Sequence, residues 1–407
     1  MAAIMQGVRV LEVAQWTFVP SAGAILADWG ADVIKVEHPV HGDAQRGLRQ
    51  LGAVSIDGPV NPVMEHANRG KRSIGLDIRS GEGTDLLYEI AATSDVFLTN
   101  FLPEVRRRLG IDVADIRAAN PSIIYARGTA YGTEGPHGEH GGYDMTGFWS
   151  RGGSSASATP SDLDGVISQP GPAYGDSLGG MAIAGGIAAA LFARERTGEP
   201  SIVDSSLLAV GTWAMGVAVD ASLQNGQPWR AGPGGANVAP TNPLTGTYRT
   251  SDGRFLAVSM LQGFRYWGPF CRHIGRGDLA DDERFASHES LVANTPAAIE
   301  ELRAELASRT LAEWCDLLED FDGQWAPVQD TVELAHDPQV RANGIVVPVQ
   351  GTSTEDFELV ASPVRFDETD LAVRPAPDFA VDTDDVLAEL GLDQDRIIAL
   401  KAEGVIT

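Results

Sequence analysis

Across the first 130 residues, short apolar, often β-branched runs alternate with segments of helical pattern, and this alternation constrains the fold more than any other feature. Strands are expected at 8–13, 32–37, 73–77, 95–99 and 122–126, and helices at 81–93 and 113–119. Between the first two strands, Pro20 opens a helical stretch, SAGAILADWG, that closes on Gly30, where glycine suits a left-handed C-terminal cap. Strands separated by helices of about a dozen residues predict βαβ units, an α/β fold and a mainly parallel sheet. Ligands of such sheets sit beyond the carboxyl ends of the strands, so the loops after Val13, Glu37, Asp77 and Thr99 are the first candidates for a site.

Glycine, serine, proline and histidine dominate 132–172, which reads as long loops. A small-residue helix is expected at about 177–196, then a strand at 201–204 and a helix to about 223. The Gly/Pro-rich stretch 225–243 reads as a linker, and TGTYRT-SDG-RFLAV beyond it as a hairpin turning at Asp252-Gly253. Helices at 263–274, 296–308 and 310–320 complete a smaller domain; short strands at 345–350 and 357–366 and two amphipathic helices after Asp382 form the tail. The expected division is a large domain over 1–225, a small α+β domain over 226–330, and a tail, 331–407, returning to the large domain.

Composition removes several classes. A net charge of −26, from 30 basic and 56 acidic side chains, leaves no basic face for nucleic acid or a membrane surface. Two cysteines, Cys271 and Cys315, build neither a disulfide framework nor a thiolate metal site. His38 with His41 and His137 with His140 have i,i+3 spacing but lie in Gly/Pro-rich sequence, so no metal is expected. The N-terminal MAAIMQGVRVLEV lacks the pattern of a signal peptide. No apolar stretch is expected to reach the roughly 18 residues of a membrane span; 181–192 is too short. A cytoplasmic enzyme is the expectation.

The strongest local signal is Gly171-Pro-Ala-Tyr-Gly175-Asp176-Ser177-Leu178-Gly179-Gly180. A carboxylate stands at the start of a helix almost free of bulky side chains. Its amides can hold an oxyanion; equally, Asp176 can be a plain N-cap and the glycines can serve helix packing. The same residues fit the G-x-S-x-G serine-esterase pattern, but Pro170 and Pro172 disfavour the strand that must precede a nucleophile elbow. A second signal is cationic: Arg69, Lys71, Arg72 and Arg79 flank one strand, Arg106, Arg107 and Arg108 follow another, and Arg46 lies after Glu37. Such charge in an acidic chain suggests a phosphate-bearing ligand, although neither a P-loop nor a dinucleotide glycine motif is present.

Taken together, GVRVLEVAQWTFVPSAGAILADWGADVIKVEHP, NRGKRSIGLDIRSGEG, SDVFLTNFLPEVRRRLGID, NPSIIYARGTAYGTEGP and GDSLGGMAIAGGIAAAL resemble the family III CoA-transferases, a group related to α-methylacyl-CoA racemase. The resemblance continues at TYRTSDGRFLAV, WAPVQDTVELAHDPQVRANG and DTDDVLAELGLDQDRI, and is weakest over 145–170 and 225–243. It implies a Rossmann-like large domain, a small domain, and a homodimer of two interlinked chains. It also implies Asp176 as a nucleophile passing CoA from an acyl-CoA to a carboxylic acid, with coenzyme A as substrate and no cofactor or metal. Oxyanion support would come from Ser177, Gly179 and Gly180. CoA contacts implied are Gln15, Trp16, Thr17, His38, Leu76, Ile78, Arg79, Asn100, Phe101 and Arg108, with Arg46 and Arg72 added by the charge argument. His38 stands where some members carry an arginine, and 232–240 loosely matches a glycine-rich loop covering the aspartate. Where a racemase needs a histidine, this chain has Tyr143, next to Asp144, a possible second acid; tyrosine, with an ordinary pKa near 10, is a poor base at pH 7, so the resemblance favours transfer over racemisation. The alternatives are a racemase or isomerase on this scaffold, a CoA-thioester binding protein without turnover, and a serine hydrolase. Phe148, Trp149 and Trp229 hint at an apolar or aromatic acyl group, although aromatics in loops are as often packing residues.

Overall fold

The computed structural model describes residues 3–232, 241–352, 355–369 and 371–407. Two compact units emerge: Met1–Ala156, Ile167–Trp229 and Pro338–Thr407 form the first, and Ser157–Val166 with Arg230–Asp337 the second. The short segment 157–166, read from sequence as part of the large domain, belongs to the second unit.

The strands of the first unit begin with β1 (Arg9–Val13), β2 (Asp32–Glu37), β3 (Gln50–Leu51), β4 (Val54–Ser55), β5 (Arg72–Gly75), β6 (Val96–Thr99), β7 (Ile124–Thr129) and β8 (Ile202–Ser206). β3 and β4 make a small hairpin; the other six form one sheet in the order β5-β2-β1-β6-β7-β8, every pair parallel. The strand order reverses between β1 and β6, where the loops after the two strands part and leave a crevice.

Helices cover both faces, so the strands read as continuous apolar runs rather than alternating ones. In β1, Val10 enters one core and Leu11 the other. The connecting helices are α1 (Phe18–Asp28), α2 (Pro62–Asn68), α3 (Gly81–Ala92), α4 (Pro103–Leu109) and α5 (Val113–Ala119). α6 (Ser154–Ala158), α7 (Tyr174–Thr197), α8 (Leu207–Ala214) and α9 (Gly216–Asn225) follow. α1 is buried from Phe18 to Ala27 because it lies between the sheet and α7. The helices approach closely at two glycines: a Cβ on Gly179 would come within 2.2 Å of the Phe18 ring, and one on Gly180 within 2.5 Å of Ser21 Cβ. The second core takes in the C-terminal helices Thr383–Glu389 and Gln394–Ala402 through Val386, Leu387, Ile397 and Leu400. Ser73 N donates to Asp382, and Gly75 N to Thr383, which fastens this tail to β5. β12 (Val346–Val349) and β13 (Phe357–Val360) pair antiparallel in the same unit.

One expectation is corrected. α7 has 24 residues and is long and apolar enough by length and composition to span a bilayer. The sequence reading stopped its apolar stretch at 181–192 because the glycines and alanines around it carry little hydrophobic weight. Ile183, Ala184, Ile187 and Ala190 of this helix are packed into the first core.

In the second unit, β9 (Thr245–Arg249) and β10 (Phe255–Ser259) form the expected hairpin, and β11 (Trp325–Pro327) extends it. Helices Gly263–His273, Thr295–Leu306 and Leu311–Leu318 close its core around Trp267, Phe270, Leu302 and Trp314.

Candidate active site

The start of α7 has an unusual cap. Ala173 occupies the cap position at φ +56° and offers no side-chain acceptor. The acceptor comes from 31 residues upstream: both carboxylate oxygens of Asp144 lie 3.1 Å from the amide nitrogen of Gly175. Gln169 Nε2 donates to the same carboxylate at 3.2 Å. Position 175 must be glycine, since a Cβ there would lie 2.5 Å from Asp144 Oδ1 and 2.2 Å from the Phe148 ring. Asp144 is buried; burial raises its pKa, while the amides of Gly175, Asp176 and Tyr174 and the Gln169 side chain hold it down.

Asp176 stands in the first turn of the same helix. Its carboxyl is pushed up to about 7, first by burial and then by the charge of Asp144. The positive end of the helix dipole is thus taken up by Asp144, and Asp176 is left a high-energy, poorly solvated carboxylate. Two acids far apart in sequence but close enough in space to feel each other's charge are thereby given different proton affinities.

The helix begins at Tyr174, three residues ahead of the expected 177. That shift changes the reading of Ser177, Gly179 and Gly180. Ser177 N donates to Ala173 O at 2.9 Å, and the amides of Gly179 and Gly180 lie inside the helix ladder, so they are not free to hold an oxyanion. Gly179 and Gly180 serve packing against α1 instead. Ser177 Oγ donates to Ala173 O at 2.8 Å and lies 2.9 Å from His66 Nε2. His66 is pushed down to about 4 by burial and by Arg69. Among the described residues no carboxylate bonds its other ring nitrogen, so the pair lacks the orienting acid of a hydrolase triad.

Asp176 opens into a cavity of about 630 Å³ at the point where the strand order reverses. Gln15 and Trp16 after β1, Asn100 and Phe101 after β6, and Tyr131 and Tyr143 after β7 line it. The Asn100 side chain mimics a strand neighbour: it accepts from Gln15 N at 3.1 Å and donates to Gln15 O at 2.6 Å. This clamp adjoins Trp16, whose φ of +65° is strained for a bulky side chain. The Trp16 ring meets Tyr143 edge-on, with centroids 5.8 Å apart. Thr17 is buried and accepts from Gln45 Nε2 at 2.6 Å, tying the loop to the turn after β2.

Beneath the loop lies a buried ionic network. Glu12 accepts from Lys71 at 2.7 Å and Lys35 at 3.3 Å, and Lys35 also meets Asp43 at 2.9 Å, all four side chains being inaccessible. Burial drives Lys71 down to about 7 against the attraction of Glu12. In Lys35, burial opposes the charge, but Asp43, Glu12 and Glu37 outweigh it and hold its pKa above the ordinary value.

The remaining sequence candidates are dispersed. His38 follows β2, and its Nε2 lies 2.8 Å from Arg79 Nη2; Arg79 in turn binds Asp77 at 2.8 Å. Leu76 is buried and bridges to Ile406, while Ile78 packs beside the second core. Arg108 is exposed on α4. None of these five lines the cavity with Asp176. Arg46 is held by Glu37 at 2.6 Å and by Pro377 O, anchoring the tail. Arg72 sits at the amino end of β5, across the sheet from Gln15, and binds Asp32 and Glu389. Both arginines serve internal carboxylates, which charge counting in sequence does not reveal. Phe148 and Trp149 are core residues rather than an acyl wall. The glycine-rich loop at 233–240 lies outside the described residues. Gln169, Tyr131 and His140 were not anticipated, since they come from a loop region without periodicity.

Residues 5–383 match the model of CoA-transferase family III. The (R)-2-hydroxy-4-methylpentanoate CoA-transferase of Clostridioides difficile is 30% identical over 409 residues, covering 99% of each chain. The succinate–glutarate CoA-transferase of Agrobacterium fabrum is 34% identical over 401 residues, covering 95% of each. Among solved structures, a CAIB/BAIF family protein from Brucella suis superposes with a TM-score of 0.79 at 29% identity, covering 95% of this chain and 99% of that one. The fold, the crevice at the strand reversal and these likenesses agree: the chain belongs to CoA-transferase family III and is an enzyme of that type.

Proposed function

We propose that the protein transfers CoA from an acyl-CoA to a free carboxylic acid with Asp176 as the covalent carrier. The observation that carries this reading is the Asp176 carboxylate itself: it lines the crevice at the strand reversal and is made basic by burial beside Asp144. Raised proton affinity means raised nucleophilicity once the group is ionised. An Asp176 oxygen attacks the thioester carbonyl of the donor, the C–S bond breaks, and CoA thiolate leaves a mixed anhydride. The thiolate attacks the aspartyl carbonyl of that anhydride, releasing the donor acid and forming an aspartyl-CoA thioester. An acceptor carboxylate then attacks the same carbonyl and expels the thiolate. The thiolate finally takes the acceptor's acyl group from the second anhydride, which regenerates Asp176. No proton needs to move in the cycle, so no dedicated base is required.

In this reading the acyl-pantetheine end occupies the cavity between Gln15–Trp16 and Asn100–Phe101. The nucleotide end runs along the carboxyl edge of the sheet towards His38 and Arg79. Asp144 acts by occupying the helix amides and charging the space behind Asp176. We also propose a cytoplasmic homodimer: Phe192 of α7, Ile202 of β8, Trp213 of α8 and Val217 and Leu223 of α9 expose large apolar side chains on neighbouring elements.

The test is exchange: a panel of acyl-CoA donors is paired with short hydroxy, dicarboxylic and aryl acids, and the new thioester is read by chromatography. At least one pair should exchange with wild type and none with Asp176→Asn. Proton exchange at the α-carbon without CoA transfer would instead establish the racemase.

A further inference from the structure

Asp176 is tethered through both of its chain neighbours. On one side Asp144 holds the amide of Gly175. On the other, Ser177 Oγ lies 2.9 Å from His66 Nε2 and donates to Ala173 O at 2.8 Å. The chemical steps proposed for Asp176 use neither His66 nor Ser177.

The direction of the second tether follows from proton counting. Ser177 has one hydroxyl proton, and Ala173 O takes it. At 2.9 Å the imidazole is therefore the donor, with its proton on Nε2. Burial, and then the charge of Arg69, push His66 down to about 4, so the ring that donates is neutral at pH 7.

The tether closes a strained turn. Ala173 sits at φ +56°, a left-handed conformation unfavourable for a residue with a Cβ, and such a residue persists only where its surroundings hold it. Its carbonyl accepts from both the amide and the hydroxyl of Ser177, at 2.9 and 2.8 Å. His66 reaches across from a fixed base. Its own carbonyl accepts from Arg69 Nη1 at 2.8 Å, and Arg69 is ion-paired at 2.8 Å with Asp28, the last residue of α1. α1 in turn packs against α7.

We infer that His66 is a positioning residue: through Ser177 Oγ it holds the Ala173–Ser177 turn, so that Asp176 keeps facing the crevice through its successive covalent states. The inference rests on Asp176 as the carrier. In that cycle the aspartyl carbonyl is attacked twice after the carboxylate has itself attacked, and a turn that drifts costs rate rather than affinity.

Two measurements test it. In ¹⁵N-histidine-labelled full-length protein at pH 7, with His66 assigned through His66→Gln, the ring should be neutral and protonated at Nε2, and Ser177→Ala should displace its signal. Protonation at Nδ1 alone, or a signal indifferent to Ser177→Ala, would overturn the inference without any turnover being read. In CoA transfer, His66→Leu and Ser177→Ala should each lower kcat about tenfold, with KM for acyl-CoA held within about twofold. The double variant should be no slower than either single one, because all three break one tether. His66→Gln keeps an N–H donor and should recover most of the rate. Ser177→Ala removes one oxygen and keeps the test open if His66→Leu does not fold. Unchanged kcat, a lowered melting temperature alone, additive losses of about a hundredfold, or no recovery in His66→Gln would overturn the inference. Hydroxylamine trapping in the same wild-type sample separates the two failures: an unlabelled Asp176 contradicts the carrier, whereas a labelled Asp176 with unchanged kcat in the variants contradicts the role of His66.

Discussion

Asp144 places both carboxylate oxygens 3.1 Å from the amide of Gly175, the residue before Asp176. One acid thereby takes the stabilising end of the helix and the other is denied it. The buried carboxyl of Asp176, pushed up to about 7, is mostly protonated and unable to attack at pH 6. The rate constant for acyl-CoA consumption should therefore rise with pH through about 7, losing tenfold per unit below it. Asp144→Asn removes the like charge and should move that midpoint down, though not to the ordinary carboxylate value, because burial is the larger cause. A pH–rate profile of both proteins reads this; an unchanged or raised midpoint in the variant contradicts it.

The same shift has a consequence for stability. A carboxyl whose pKa is higher in the folded state than in the unfolded one contributes a cost that grows as pH rises through that window. Here the window runs from the ordinary 3.8 to about 7. Asp176→Asn should therefore be more stable than wild type at pH 8, by about 1–2 kcal/mol after discounting for the open cavity, and gain little at pH 4. Denaturant unfolding at the two pH values measures the difference.

Asn100 holds Gln15 at both its amide and its carbonyl, next to the strained Trp16. Asn100→Ala should let the loop relax and cost binding more than chemistry. The expected result is a rise in KM for acyl-CoA of about tenfold with a smaller fall in kcat, equivalent to about 1.4 kcal/mol. A pure kcat effect would contradict the clamp.

Glu12 is the counter-charge to two buried lysines. Glu12→Gln leaves Lys71 and Lys35 short of it and should destabilise the fold by about 3–5 kcal/mol. Chemical denaturation should show a large fall in midpoint, and a change below 1 kcal/mol would contradict the network's role.

Two glycines of α7 separate packing from helix propensity. Gly179→Ala forces a Cβ to within 2.2 Å of Phe18 and should cost about 1–3 kcal/mol, whereas Gly185, with nothing within 4 Å, should tolerate alanine or gain up to about 1 kcal/mol. Thermal melts should show a lowered midpoint for Gly179→Ala and an unchanged or raised one for Gly185→Ala.

Much of the fold was readable because parallel strands buried on both faces leave unmistakable apolar runs. The second strand is found at 32–37 as expected, and the helix at 113–119 likewise. The hairpin of β3 and β4 and the seven-residue α2 were missed because neither is long enough to show a period. Asp176 was legible as a carboxylate at a helix start, but the helix begins at Tyr174, and this removed the oxyanion role expected of Ser177, Gly179 and Gly180. The sequence also could not show that Arg46 and Arg72 are committed to Glu37, Asp32 and Glu389, since those pairings join residues up to 317 positions apart. Nor could it show that the cap of α7 comes from Asp144, a contact set by the third dimension alone.

The most direct measurement is chemical trapping of the carrier. The protein is incubated with an acyl-CoA that it consumes, quenched with hydroxylamine, digested and examined by mass spectrometry. A hydroxamate on Asp176 that requires the acyl-CoA is the predicted result. Turnover with an unmodified Asp176, or with the label on another residue, would contradict the mechanism.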